Sequence, residues 1–405
     1  MTTTTPAGAA APAGEPAPVR VDRTALVDFT AAVLEAHSVP GKRAATAAHA
    51  LVHGDLTGIV SHGLTNLTRL YLKLFADGRC DPDAEPEVLA DRGAAVLIDA
   101  RRALGLWAAS EAVDLAVERA ARFGVGLVTV RDSTHLGCAG VHALRATDHG
   151  MMCLLVSNCG QQRIIRPPGA RPAMLGTNPL AFASPAGPHH PFVLDMSTTV
   201  VPTGRVRVAA RAGRPIPEGW LETADGSPLT DPHALDRGDG YLKWLGGDPD
   251  TGAFKGYGLG LLVEVLGAAL PGAGLGPDPA AWPGTGSPSG VDDNIGFTAL
   301  VVAPAELRPD DAFAEAAGGL FGALLDAPAL RADRPVRYPG WHEAERAARH
   351  TATGVPLSPS LYQELTEVAG TLGLTPPAPL APADLPGRTP GAAPTTGPDA
   401  PGGRR

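Results

Sequence analysis

Gly124-Val125-Gly126-Leu127-Val128-Thr129-Val130, followed at once by Arg131-Asp132-Ser133-Thr134-His135-Leu136-Gly137, is the stretch on which the fold turns. The aliphatic run reads as a buried strand over Val125–Val130. Before it, Leu104–Phe123 is a long helical pattern, and Gly124 marks its end. After it, His135 sits at the strand's carboxyl end, where α/β proteins tend to place ligands. A Rossmann fold would need Gly-x-Gly-x-x-Gly between a strand and a helix near the start of an alternating run. Gly137 to Gly140 has the wrong spacing and follows a histidine. The expected fold is therefore mixed α/β and not Rossmann.

Outward from that stretch, periodicity predicts helices over Asp22–His37, capped by Asp22, and over Arg43 to about Gly58. Leu67, Leu70, Leu74 and Phe75 continue an amphipathic pattern as far as Asp77-Gly78. Short apolar runs at Ala94–Ile98, Met151–Val156, Leu180–Ala183, Phe192–Asp195 and Thr298–Val302 read as strands. Gly256–Leu270 is an apolar helix, and Asp310–Leu325 and Leu357–Leu372 are further helices. Strands thus cluster in the middle of the chain, with helices before and after. This predicts a discontinuous helical domain (residues 21–120 and 300–375) around a sheet domain (residues 121–299). The Thr-, Pro-, Ala- and Gly-rich ends, residues 1–20 and 376–405, are expected to be disordered tails.

The chain has 405 residues, 44% of them hydrophobic, and a formal charge of -9. That charge, without a Lys/Arg cluster, argues against nucleic acid as a partner. The longest apolar run, Tyr257–Leu270, carries Glu264 and is too short for a bilayer, which needs roughly 20 residues. Near Met1 there is no basic region followed by an apolar block, so no signal peptide is read there. Cys80, Cys138, Cys153 and Cys159 form no Cys-x-x-Cys pair, which points to reduced thiols and a cytoplasmic protein. No His and carboxylate pair shows helical ligand spacing, so no metal is expected.

Five short segments have the residue types for chemistry. Ser61-His62-Gly63 lies between two helices, where Gly63 permits a tight turn. Ser61 is either a helix cap or part of a cleft. His135 can exchange a proton with an oxygen or nitrogen whose carbon receives a hydride, or it can be a hydrogen-bonded structural residue. Gly176-Thr177-Asn178-Pro179-Leu180 is a turn whose amides can hold a phosphate or ribose. Leu194-Asp195-Met196-Ser197 ends a strand in groups that suit ribose hydroxyls or a helix cap. Phe254-Lys255-Gly256-Tyr257-Gly258 opens the apolar helix, and Lys255 at that positive helix end favours an anionic ligand.

In this order, and together with Ser133-Thr134-His135-Leu136-Gly137 and Ala139-Gly140, the segments resemble the successive motifs of the type-2 malate/L-lactate dehydrogenase family. The resemblance covers roughly Val21 to Leu374. It implies a homodimer with a family-specific NAD(P)-binding sheet domain and a helical domain that shapes the substrate cleft. The implied reaction is hydride transfer between NADH or NADPH and a 2-oxo/2-hydroxy acid. Alternatives are a piperideine- or pyrroline-2-carboxylate-like cyclic imine as substrate, and a catalytically silent dimer that only binds the dinucleotide. The resemblance makes His62 and His135 the acid/base candidates, and places Ser61, Asn66 and Arg69 near the substrate. Cofactor contacts carry over to Thr177, Asn178, Val193, Leu194, Asp195, Met196, Ser197, Phe254 and Lys255. A late Pro-Gly motif adds Gly340, Trp341 and His342.

Asn66 departs from the family pattern, because an arginine is common four residues after the motif histidine. An amide cannot replace the charge-assisted bonds of a guanidinium. The sequence leaves a neutral substrate, an amidated one, or a carboxylate held by another arginine such as Arg69, Arg163 or Arg205. Arg205, Arg207 and Arg211 are also candidates for a cofactor 2′-phosphate.

Overall fold

A computed structural model describes residues 17–279, 291–308 and 312–381. Residues 1–16 and 382–405, which make up most of the expected tails, lie outside the described residues. What is described of the tails is ordered. Strand β1 (Val19–Val21) pairs antiparallel with β12 (Val355–Leu357). Pro379 bridges Val21, and the Leu380 amide donates to the Arg20 carbonyl at 2.8 Å. The expectation of disorder fails at residues 17–20 and 376–381, because composition does not reveal that each segment supplies the other's backbone partner.

The first helices are α1 (Arg23–Ala36), α2 (Gly41–Thr57) and the short α3 (Leu72–Ala76). The Asp22 carboxylate caps α1 by accepting from Thr24 and Ala25 N–H, as its position predicts. Then come β2 (Glu87–Asp91), β3 (Ala95–Ala103), α4 (Gly105–Phe123), β4 (Val125–Ser133), α5 (Ala139–Leu144) and β5 (Met152–Ser157). Strands β6 (Leu180–Ser184) and β7 (Phe192–Met196) precede α6 (Thr203–Arg211). A small antiparallel sheet follows, of β8 (Leu221–Glu222), β9 (Pro228–Leu229) and β10 (Tyr241–Leu242), with α7 (Ala234–Arg237) between β9 and β10. The chain continues with α8 (Ala253–Glu264), β11 (Ile295–Val302), α9 (Pro304–Leu307), α10 (Ala312–Leu325), α11 (Trp341–Thr353) and α12 (Pro359–Leu372).

Seven strands form the central sheet in the order β2-β3-β4-β11-β5-β6-β7. Only β3 and β4 run parallel, joined by the crossover helix α4; every other pair is antiparallel. The late strand β11 inserts between β4 and β5, and all its residues from Ile295 to Ala299 are buried. Both faces of this part of the sheet are covered, which is why β4 and β11 read as continuous apolar runs. Val128 and Val130 join the core shared with α4, whereas the Thr129 and Thr298 hydroxyls bond each other at 2.8 Å on the other face. Thr298 also donates to the Leu266 carbonyl at 2.6 Å, so its buried hydroxyl is satisfied.

Helices α11 and α12 return to pack on α2 and α1, which makes the helical layer discontinuous in sequence. The sheet extends to either side of the expected 121–299 span: β2 and β3 precede it and β11 ends at Val302. Edge strand β2 went unread because most of it is exposed and it lacks a clean apolar alternation. Among the described residues no helix is long and apolar enough to cross a membrane.

Candidate active site

The end of β4 delivers His135 through a loop that its neighbours hold rigidly. The Thr134 hydroxyl donates to the Ala103 carbonyl at 3.2 Å and accepts from Gly105 N–H at 2.9 Å. His135 Nδ1 lies 3.2 Å from the Gly137 amide and 2.9 Å from the Tyr71 hydroxyl. An amide N–H can only donate, so Nδ1 must accept and the neutral ring carries its proton on Nε2. Behind the loop the buried His142 is held in the same tautomer: Nε2 donates to the Leu136 carbonyl at 2.8 Å, and Ser110 Oγ donates to Nδ1 at 2.8 Å. Nε2 of His135 has no hydrogen-bond partner among the described residues, and the ring lines a cavity.

His62 reaches the same cavity from the turn that follows α2. Gly63 is required there because a Cβ on it would sit 2.2 Å from the Asp55 carboxylate. That carboxylate accepts the Leu64 N–H at 2.6 Å and so folds the turn back onto α2. Ser61 Oγ lies 3.0 Å from His62 Nδ1. The His62 and His135 rings stack with centroids 5.8 Å apart and planes at 21°. Burial pushes His62 down to about 4, helped by the nearby His135 and Arg69. Burial also lowers His135, against the opposing pull of Asp292. Asp55, wholly enclosed, is pushed up to about 7. Both imidazoles are therefore neutral at pH 7.

Asn66 is 2% exposed and ties two parts of the wall together. Its Nδ2 donates to the Ser61 carbonyl at 3.0 Å, and its Oδ1 accepts from Arg69 Nη2 at 2.8 Å. Arg69 projects to the cavity, where α6 contributes Arg207 and Arg211. Arg207 pairs with Asp236 at 2.9 Å. Arg163, by contrast, bonds the Gly276 carbonyl at 3.0 Å and pairs with Asp278. The cavity measures about 960 Å³ and also takes in Thr177, Asp195, Met196 and Ser197. A second cavity of about 1120 Å³ shares Ser61, Asp195 and Gly204 with it, and is lined by Val193, Leu194, Arg205, Arg214, Trp220 and Gly340.

Residues 21–366 of the chain that builds this site fit the family profile of malate/L-lactate dehydrogenase. The chain belongs to that family. It is 35% identical over 254 residues to malate dehydrogenase of Pyrococcus horikoshii, covering 63% of this chain and 69% of that protein. It is 33% identical over 300 residues to (2R)-3-sulfolactate dehydrogenase (NADP(+)) of Chromohalobacter salexigens, covering 74% and 85%. The solved structure of malate dehydrogenase from Pyrococcus horikoshii superposes with a TM-score of 0.78 at 27% identity, over 89% of this chain and 97% of that one. The protein is an oxidoreductase of the malate/L-lactate dehydrogenase family.

Within this family member, the structure gathers His62, His135, Ser61, Asn66, Arg69, Thr177, Asp195, Met196 and Ser197 around one cavity, with Val193, Leu194 and Gly340 on the adjoining one. Five expected contacts lie elsewhere. Asn178 is fully buried and braces α8, its Nδ2 donating to the Gly260 carbonyl at 3.1 Å and to Glu264 at 3.0 Å. Phe254 and Lys255 stand outside both cavities at the start of α8, and Phe254 is 67% exposed. Trp341 and His342 open α11, where both bond Glu345 rather than lining either cavity. Arg207 and Arg211, read as candidates for a cofactor phosphate, share the cavity of the histidine pair instead. Arg205 lies over Trp220 at 5.2 Å in the second cavity.

Sequence reasoning missed Tyr71, Asp55 and His142. Tyr71 and Asp55 are hidden inside helical patterns that read only as core, and His142 follows Gly140 with no motif of its own. One signal was available for Asp55, a charged residue on the apolar side of α2, which is costly unless it is hydrogen-bonded.

Proposed function

We propose that the protein interconverts a 2-oxo acid and a 2-hydroxy acid with NADH or NADPH as redox partner. The observation that carries this reading is the stacked His62–His135 pair on the wall of a cavity that Arg69 also lines. The residues present suit a dinucleotide spanning the two joined cavities. Ser61, Ser197, Asp195 and Thr177 offer partners for ribose hydroxyls, and Arg205 and Arg214 offer charge for phosphates. At the junction Gly204 lets α6 pack directly against the Ser61 turn, since a Cβ there would lie 2.4 Å from that of Ser61. When bound, the nicotinamide ring supplies or accepts the hydride.

The protein's own groups do the rest. Arg69, anchored by Asn66, holds the substrate carboxylate through charge-assisted hydrogen bonds. His135 donates its Nε2–H to the substrate oxygen, and the Gly137 amide keeps that tautomer in place. His62 exchanges the proton with that oxygen, and its lowered pKa favours the neutral, proton-accepting form that oxidation of a hydroxy acid needs. His62→Ala and His135→Ala should each lower turnover by about a hundredfold or more. Fluorescence titration should show NADPH still binding to both. Unchanged turnover in both variants would reject the assignment.

The exposed Phe254 and Leu262 on α8, with Val265 in the turn that continues it, favour a homodimer, since this face is apolar and unpartnered in the protomer. The four free cysteines favour the cytoplasm, which cell fractionation can test.

A further inference from the structure

Beside the histidine cavity lies a smaller one of about 300 Å³, open to the surface, lined by Thr65, Thr68, the exposed Arg69, Arg211, Ser358, Ser360 and Glu364, and the buried Leu361. Arg69 and Arg211 line both cavities, so the two guanidiniums form a shared partition. Neither is neutralised: Arg69 bonds only the Asn66 amide oxygen, and Arg211 has no ion pair or side-chain hydrogen bond among the described residues. Burial and the like charges of Arg207 and Arg211 depress Arg69, and Asp236 offsets them only in part. Four hydroxyls complete the wall. Ser358 caps α12, a helix without an acidic residue in its first turn, and bonds Ser360 at 3.1 Å.

We propose that this small cavity is a binding site for a phosphoryl oxyanion, distinct from the cavity that holds the reacting carbon. Two guanidiniums with clustered hydroxyls are the donor set such an anion requires. Glu364, the one carboxylate in the wall, bonds the Thr68 hydroxyl at 3.0 Å. It repels a fully ionised anion but accepts a hydrogen bond from a P–OH group. The site therefore prefers hydrogen phosphate or a singly protonated phosphate monoester to sulfate. The phosphoryl group can come from free phosphate, which then competes for Arg69, or from the distal end of an extended substrate that passes the arginine partition.

The test is calorimetric titration of the full chain with inorganic phosphate and, separately, sulfate at pH 6.5, with no cofactor present, so that it does not depend on the redox reading. Phosphate should bind at least tenfold more tightly than sulfate. Arg211→Gln should weaken phosphate roughly tenfold or more, as loss of a hydrogen bond to a charged group implies. Glu364→Gln should remove the preference over sulfate while leaving phosphate bound. Far-ultraviolet circular dichroism of each variant checks that it folds. In the activity arm, phosphate competing against a methyl-ended 2-oxo acid identifies the free anion as the source. A kcat/KM tenfold higher for a phosphate-ended 2-oxo acid, lost in Arg211→Gln, identifies the substrate. No phosphate binding at tens of millimolar, or binding that neither substitution alters, overturns the proposal.

Discussion

Asn66→Ala is the substitution that most directly tests how this chain holds its substrate. It removes the Nδ2 bond to the Ser61 carbonyl and the Oδ1 bond to Arg69, at 3.0 and 2.8 Å. A neutral bond of the first kind contributes about 1 kcal/mol net, and a bond to a charged group about 1.5–3 kcal/mol. Arg69 is exposed, so solvent screening favours the lower end of that range. The fold should therefore lose about 2–3 kcal/mol, measured by urea denaturation. The catalytic effect should be selective. Untethered, Arg69 must be ordered anew each time substrate binds, so KM for a 2-oxo acid should rise about tenfold, equivalent to ~1.4 kcal/mol. The kcat should change less, because both histidines keep their own supports. Arg69→Gln should raise KM at least as much. If stability falls as expected while KM for the 2-oxo acid stays within a factor of two in both variants, Arg69 is not the carboxylate ligand.

Two further outcomes follow from burial and surface. Burial holds His53, His62 and His142 at about 4, below the ordinary 6.5, so between these values the unfolded chain binds more protons and stability rises with pH. Burial raises Asp55 to about 7 and Asp195 to about 6 from 3.8, so each makes stability fall with pH across its own window. Three imidazoles outweigh two carboxylates, so urea midpoints should climb from pH 4 to a maximum near 6.5 and then fall toward 7 as Asp55 ionises. Asp55→Asn should lose that final fall, and a wild-type midpoint that drops between pH 5 and 6.5 would contradict the account. On the surface, Leu262→Glu with Val265→Glu should convert a dimer to a monomer in sedimentation equilibrium. A wild type that sediments as a monomer would remove the case for pairing through α8.

Local sequence determined the elements whose burial is periodic. The strand from Val125, the helix ended by Gly124 and the helix capped by Asp22 all stand where their patterns place them, because side-chain spacing and end residues act within a few positions. The order of the histidine and glycine motifs was equally legible: it led to the right family, and it singled out His62 and His135, which the fold brings together. Tertiary structure alone decided the remainder. No local pattern says that β11 enters between β4 and β5, or that the two imidazoles stack, since both depend on contacts between segments far apart in the chain. It also decided that Asn66, an apparent loss of charge, serves as the anchor of Arg69, and that Lys255 and Trp341 stand away from the cavities. A side chain's type reports what it can bond, but only the packed fold sets which partner lies within 3 Å of it.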